Sequence, residues 1–197
     1  IRFIAISDNV DTADRSSSAL DMMPIINLFN EWHSASTSKK IKAVFETNAK
    51  AGKYLGSKVP YGYIRGEDEN HLPVVNPETA PIVQRIFQMR VSGMSQRRIA
   101  DTLNAEGITC PSDYYYNKKG KENIIDCRHL WGRSAVDHIL KNRMYLGDLV
   151  QLKSTTVSHK NHKTIPKDES EWAIVPDTHE ALITQEIWDR CRELDEE

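Results

Sequence analysis

Gly52, Gly56, Pro60 and Gly62 fall close together, and they constrain this chain more than any other feature. Proline removes a backbone donor and glycine costs a helix about 1 kcal/mol, so a helix entering this stretch must end there. The same glycines let the backbone lie close to a neighbour. Lys39, Lys40, Lys42, Lys50, Lys53 and Lys58 line residues 38–63, and Glu46 is the only acid among them. A lysine-bearing helix running into a flexible basic strap suits a nucleic-acid backbone. A solvated helix end followed by an interdomain linker has the same composition. The pattern alone leaves both readings open.

The formal net charge of the 197 residues is only −2, but the charge is unevenly placed. Residues 37–65 carry seven Lys/Arg and one acid, and residues 80–100 carry four Arg and no acid. Residues 117–143 carry seven bases and three acids, and residues 153–167 four Lys and no acid. The final stretch, 168–197, holds eleven acids and two Arg. Local patches, not the total, govern attraction to a polyanion. Hydrophobic residues make up 39%, and no run is long enough for a membrane span. The start, IRFIAI, has no Met and no signal-peptide pattern, and reads as a piece of a larger protein. Three separated cysteines, Cys110, Cys127 and Cys191, suit reduced thiols in a cytoplasmic setting.

Residues 1–6 read as a buried strand and 7–17 as a polar loop. A long helix is expected over 18–50. Met22, Ile25, Ile26, Phe29 and Trp32 form one apolar face in its first half, and Ile41, Val44 and Phe45 a shorter stripe later. The first stripe is read as core packing in preference to a dimer contact, although one helix can serve both. After the strap, 61–65 predicts a short strand and 67–70 an acidic turn. Asn76, Pro77 and Glu78 predict a helix start, with Ile82, Val83, Ile86, Phe87 and Val91 inward and Gly93 as the stop. Ser95 caps a further helix carrying Gln96, Arg97 and Arg98 outward and Ile99, Ala100 and Leu103 inward, ending at Gly107. This pair reads as the opening of a helix-turn-helix or as a plain helical hairpin.

A long insert, 110–130, follows, with Tyr114, Tyr115 and Tyr116 and a lysine tip at 118–121. The tyrosines are read as turn packing in preference to stacking on bases. The next helix, 133–142, has Trp131, Val136, Ile139 and Leu140 on its core side. Arg133, Ser134, Asp137, His138, Lys141 and Arg143 lie on its outer side. His138 either contacts a phosphate or base or faces solvent. Residues 147–152 and 171–175 predict two antiparallel strands joined by a polar tip with four lysines. Thr184 caps a closing helix to 197, with Ile187, Trp188 and Leu194 inside.

Ser38, Lys40, Gly52, Gly56 and the run Pro60-Tyr61-Gly62-Tyr63 resemble the junction between catalytic and DNA-binding domains of the large serine recombinases, the serine integrases and transposon-borne recombinases. Val10-Asp11-Thr12 matches the end of that family's catalytic domain. Trp131, Ile139-Leu140-Lys141-Asn142 and Tyr145-Leu146-Gly147 match a recurrent mark of its DNA-binding domain. The resemblance covers nearly the whole chain. It implies an α+β fold: a long N-terminal helix, then a mixed helical and small-sheet DNA-binding domain with a helix-turn-helix-like core. The implied layout is 1–50 from the catalytic domain, 51–62 a basic linker, 63–183 the recombinase domain, and 184–197 a closing helix leading toward a zinc-ribbon region.

In that family strand exchange proceeds through a phosphoserine link to DNA. No residue here matches the nucleophile or its arginines; Ser16, Ser17 and Ser18 read as loop and cap residues, so no catalytic residue is assigned. His159 with His162, and Cys127 with His129, lack the partners a four-ligand zinc site needs, so neither a metal nor a cofactor is expected. The resemblance implies duplex DNA as partner, a homodimer on that DNA, a tetramer in the full-length synaptic complex, and no membrane. The candidate DNA contacts are Ser38, Lys39, Lys40, Lys42, Lys50, Lys53, Lys58, Tyr61, Arg97, Arg98, Arg133, Ser134, His138, Lys141 and Arg143. The other readings are a winged-helix-like regulator and a protein-interaction module.

Overall fold

The structure is a computed structural model that describes residues 4–5, 10–11, 18–121, 123 and 129–196. In chain order its elements are β1 (Ile4–Ala5), β2 (Val10–Asp11), α1 (Ser18–Lys50), β3 (Tyr63–Arg65), β4 (Pro73–Val75), α2 (Ala80–Val91), α3 (Gln96–Ala105), α4 (Pro111–Lys118), α5 (Arg133–Leu140), β5 (Leu149–Gln151), β6 (Ser154–Thr156), β7 (Thr164–Pro166), β8 (Ala173–Val175) and α6 (Gln185–Glu196). This is the expected α+β class. The chain divides into two compact units, Ile1–Thr47 with Ser154–Pro166, and Asn48–Lys153 with Lys167–Glu197.

The first unit is built on α1, whose observed bounds are those the sequence predicts. β1 pairs antiparallel with β2, so Val10 and Asp11 form a strand where a loop was expected. The apolar stripe of α1 is not core. Phe29 and Trp32 are 64% and 66% exposed, and Met22 and Ile25 are also exposed. Helical periodicity marks which face is apolar and says nothing about what covers it. β6 and β7 form a hairpin within the expected polar tip. It meets α1 through Lys42, whose Nζ donates to Thr155 Oγ1 at 3.3 Å and to the Thr156 carbonyl at 3.2 Å. Lys160 and Glu31 form a second link, an ion pair.

The core lies in the second unit. Val83, Ile86 and Phe87 of α2, Ile99 and Leu103 of α3, Val136 and Leu140 of α5 and Cys191 of α6 are fully buried around Tyr145. Phe87 meets Tyr145 edge-on at 5.9 Å between ring centroids. α2 begins later than expected. Asn76 first closes a turn, its Oδ1 accepting from the Glu78 amide at 3.2 Å and its carbonyl from the Thr79 and Ala80 amides. The helix then starts at Ala80 with Pro81 in its first turn, a position where the missing N–H costs nothing. Ser95 does cap α3, accepting from the Arg98 amide. β3 pairs with β4 and β5 with β8, both antiparallel.

Residues 51–62 pack onto this unit. Gln151 of β5 bridges to them twice, accepting from the Leu55 amide at 2.8 Å and donating to the Lys53 carbonyl at 2.7 Å. Tyr54 is buried and donates to the Lys58 carbonyl. Tyr145 donates to the Tyr61 carbonyl at 2.8 Å. Gly62 has φ +100, and a Cβ there would stand 2.9 Å from Val83 Cγ2, so both its conformation and its close packing demand glycine.

Candidate nucleic-acid interface

The short helix α5 is held by its apolar side and displays the other. Val136, Ile139 and Leu140 bury it. Its start is fixed through Trp131, whose indole donates to the Ile108 carbonyl at 2.9 Å. Asn104 of α3 pairs with the Trp131 backbone in both directions, accepting at 2.8 Å and donating at 3.0 Å. Asn104 was missed in the sequence because an Asn near a helix end normally signals capping. Here both halves of its amide clamp a chain 27 residues away.

On the outer side a ladder of polar groups runs between α3 and α5. Arg133 Nε donates to Gln96 Oε1 at 3.2 Å, Gln96 Nε2 donates to Asp137 Oδ1 at 3.0 Å, and Asp137 pairs with Lys141 at 2.8 Å. Burial pushes the Asp137 carboxyl up, but Lys141 and Gln96 outweigh it and hold the group below its usual range. A groove of about 680 Å³ opens here, lined among others by Arg97, Arg133 and Lys141. A second groove, about 480 Å³, lies along Ser134, His138 and Asn142. The exposed surface of α5 stands between the two.

The expected site residues therefore differ in how they are engaged. Arg97, Arg98, Arg133, Ser134 and His138 are not buried, and Arg133 is bonded to a neutral amide. Lys141 is already paired with Asp137, and Arg143 with Asp148 at 2.7 Å. Tyr61 is half-buried, edge-on to Tyr114 and Trp131, and its hydroxyl donates to the Thr109 carbonyl at 3.3 Å. Burial raises its phenol pKa, and it serves the core more than the surface. Lys50 and Lys53 are exposed, and Lys58 lies over the Tyr115 ring. In the first unit Lys39 and Lys40 are exposed, Ser38 is half-buried, and Lys42 is engaged by the hairpin.

Residues 111–118, expected to lie within a long insert, form α4. Its signals were present in the sequence: Pro111 at the first helical position and Asp113 in the first turn. The helix brings Tyr115, Lys118 and Lys119 beside Lys58, a grouping absent from the expected site. Among the described residues no group of three or more His, Cys, Asp or Glu is placed to hold a metal. Cys127 lies outside them. No helix of the described residues is long and apolar enough to cross a membrane.

The family described as Recombinase matches residues 77–197. That is more than half of the chain, and the chain belongs to this family, in agreement with the resemblance to large serine recombinases read from its motifs. No curated protein gives a match. Among solved structures, one described as "Crystal Structure of a LSR-DNA Complex" is similar with a TM-score of 0.49 and 16% identity, over 79% of this chain and 39% of that one. Another, described as "Sequence Requirements of the Listeria innocua prophage attP site", is similar with a TM-score of 0.46 and 15% identity, over 80% of this chain and 51% of that one. The chain thus spans two fifths to half of the solved chains it matches.

Proposed function

We propose that this chain is the DNA-binding portion of a site-specific serine recombinase. The parent protein would integrate, excise or transpose mobile DNA by strand exchange through a phosphoserine link. The observation that carries this reading is the outer face of α5. It offers Arg133, Ser134 and His138 between two grooves, on a helix fixed to the core, in a chain of the Recombinase family. α5 is about the size that a major groove admits, and its N-terminal residues reach deepest in such docking. Lys39 and Lys40 on α1, Lys53 in residues 51–62 and the β6–β7 lysines supply phosphate contacts. Residues 51–62 follow the minor groove, and α1 lies near the crossover site. The exposed stripe on α1 serves subunit association, as a homodimer on DNA and a tetramer when full-length.

The chain binds duplex DNA and does not cut it, because no residue here matches the family's nucleophile. The test is incubation with supercoiled DNA bearing the parent's site, with binding followed across a salt series. Salt-dependent binding without a covalent protein–DNA product is expected. A covalent product, or the absence of duplex binding at low salt, rejects the reading.

A further inference from the structure

Away from α5, four lysines gather near two neighbouring tyrosine rings, Tyr114 and Tyr115. The Lys58 ammonium, from residues 51–62, lies 4.1 Å from the centroid of Tyr115, and that of Lys119 lies 4.5 Å from it. Lys119 also donates to the Tyr115 hydroxyl at 2.5 Å. Lys121 is near enough for its charge to act on the same phenol, and Lys118 sits 5.9 Å from the neighbouring Tyr114 ring. The bonded Lys119, with the charges of Lys58 and Lys121 behind it, holds the Tyr115 phenol below its usual value. None of the four lysines has a carboxylate partner among the described residues. A groove of about 520 Å³ runs between residues 57–65 and α4, and its described lining includes Lys58, Arg65, Lys118 and Lys119 but no acid.

Like charges on flexible side chains normally spread into solvent. Here the ring faces of Tyr115 gather two ammoniums from segments far apart in sequence, and each cation–π contact offsets part of the repulsion. The ring thereby fixes the ammoniums in place before any ligand arrives, which lowers the ordering cost of binding an anion. Among the described residues, what the cluster lacks is a counter-charge.

We infer that Lys58 and Lys119, organised on Tyr115, form with the nearby Lys118 and Lys121 a phosphate clamp that grips the DNA backbone outside the segment read by α5. The inference rests on the proposed DNA-binding function and extends its footprint to α4. The clamp contributes affinity without sequence preference, because phosphates carry no base information. The tyrosine acts as a positioning residue through its ring, and its hydroxyl is dispensable.

The test compares wild type, a Lys118→Ala/Lys119→Ala/Lys121→Ala triple variant, Tyr115→Ala and Tyr115→Phe, using duplexes with the parent's site and random duplexes over a salt series. Removing one lysine–phosphate pairing lowers the slope of log K against log salt by about 0.9. The triple variant is expected to lose at least one such step and to weaken equally on both duplexes. Tyr115→Ala is expected to lose part of the slope and Tyr115→Phe none. Inorganic phosphate, titrated separately, should compete only at concentrations where salt itself does. An unchanged slope in the triple variant, while wild type binds duplex, overturns the clamp alone. A loss confined to the parent's site overturns it too, since the lysines would then be reading sequence. Competition by phosphate well below that salt level would mean a free-anion site instead of a backbone clamp. Wild type failing to bind any duplex overturns the functional reading and the clamp together. Unchanged thermal unfolding of each variant shows that the surface alone was altered.

Discussion

Arg133 stands at the first position of α5, where exposure, a neutral hydrogen-bond partner and a groove coincide. Arginine donates in a fork to guanine acceptors, and a well-formed pairing discriminates by roughly 1–3 kcal/mol. Arg133→Ala is therefore expected to lower affinity for the true half-site and leave random duplex nearly unchanged. A half-site selection experiment checks it, and an unaltered preference at every position assigns specificity elsewhere. Gly62 makes a different prediction. With φ +100 and Val83 Cγ2 at 2.9 Å from any Cβ, Gly62→Ala should destabilise the second unit by about 1–3 kcal/mol, read as a lower urea midpoint. His179 gives a pH dependence. Its Nε2 lies 2.7 Å from the Met144 carbonyl and its Nδ1 2.8 Å from the Thr178 hydroxyl, and burial holds its pKa below the usual 6.5. A histidine with a depressed folded pKa contributes stability that is fully present above the unfolded value and is lost as pH falls through the folded one. The melting temperature should fall from pH 7 toward pH 5, and His179→Gln should remove that part of the slope. An identical slope in both proteins would place the acid sensitivity on other groups.

Among the elements, those with a long apolar period were legible in the sequence and those defined by neighbours were not. The bounds of α1 followed from its stripe and from the glycines after it, yet the stripe lies exposed, because period identifies a face and tertiary packing decides its fate. α3 and α5 were legible because Ser95, Gly107 and the inward Ile99, Leu103, Val136 and Leu140 all agree. α4 was obscured by three successive tyrosines, residues that favour strands, despite its helix-start signals. β6 and β7 were hidden because Ser154–Thr156 and Thr164–Pro166 offer little apolar alternation, and their pairing appears only across the polar tip. Within the site, the arginines were legible as charges, whereas the Gln96 and Asn104 bridges depend on partners 41 and 27 residues away. The cap of α3 makes this concrete. Ser95 accepts from the Arg98 amide in the same turn that carries Arg97 and Gln96 to the groove. Ser95→Ala should cost about 1 kcal/mol of stability and loosen the α3 start. A chemical melt reads the first effect, and a stability equal to wild type would mean solvent replaces the cap.

At the scale of the whole molecule, the buried apolar clusters of the described residues lie entirely in the second unit. Every residue of both clusters falls within Asn48–Lys153 or Lys167–Glu197, while the described apolar side chains of α1 before residue 48 are exposed or half-buried. Burial of apolar surface dominates folding free energy, so the second unit carries most of the stability. A chain beginning at Asn48 is expected to unfold cooperatively, with a melting temperature within a few degrees of the full chain. The buried Ala49 and the bond from the Lys53 amide to the Asn48 carbonyl, 3.0 Å, make Asn48 a sound place to cut. The same truncation removes Lys39, Lys40 and Lys42. For every one of these that pairs with a phosphate, the salt slope should fall by about 0.9 on the parent's site and random duplex alike. On the proposed reading, in which α5 sets the base preference, that preference should persist. Calorimetry and a salt series on the two proteins separate the predictions. A non-cooperative melt would show that α1 is needed to fold the second unit, and an unchanged salt slope would remove α1 from the DNA interface.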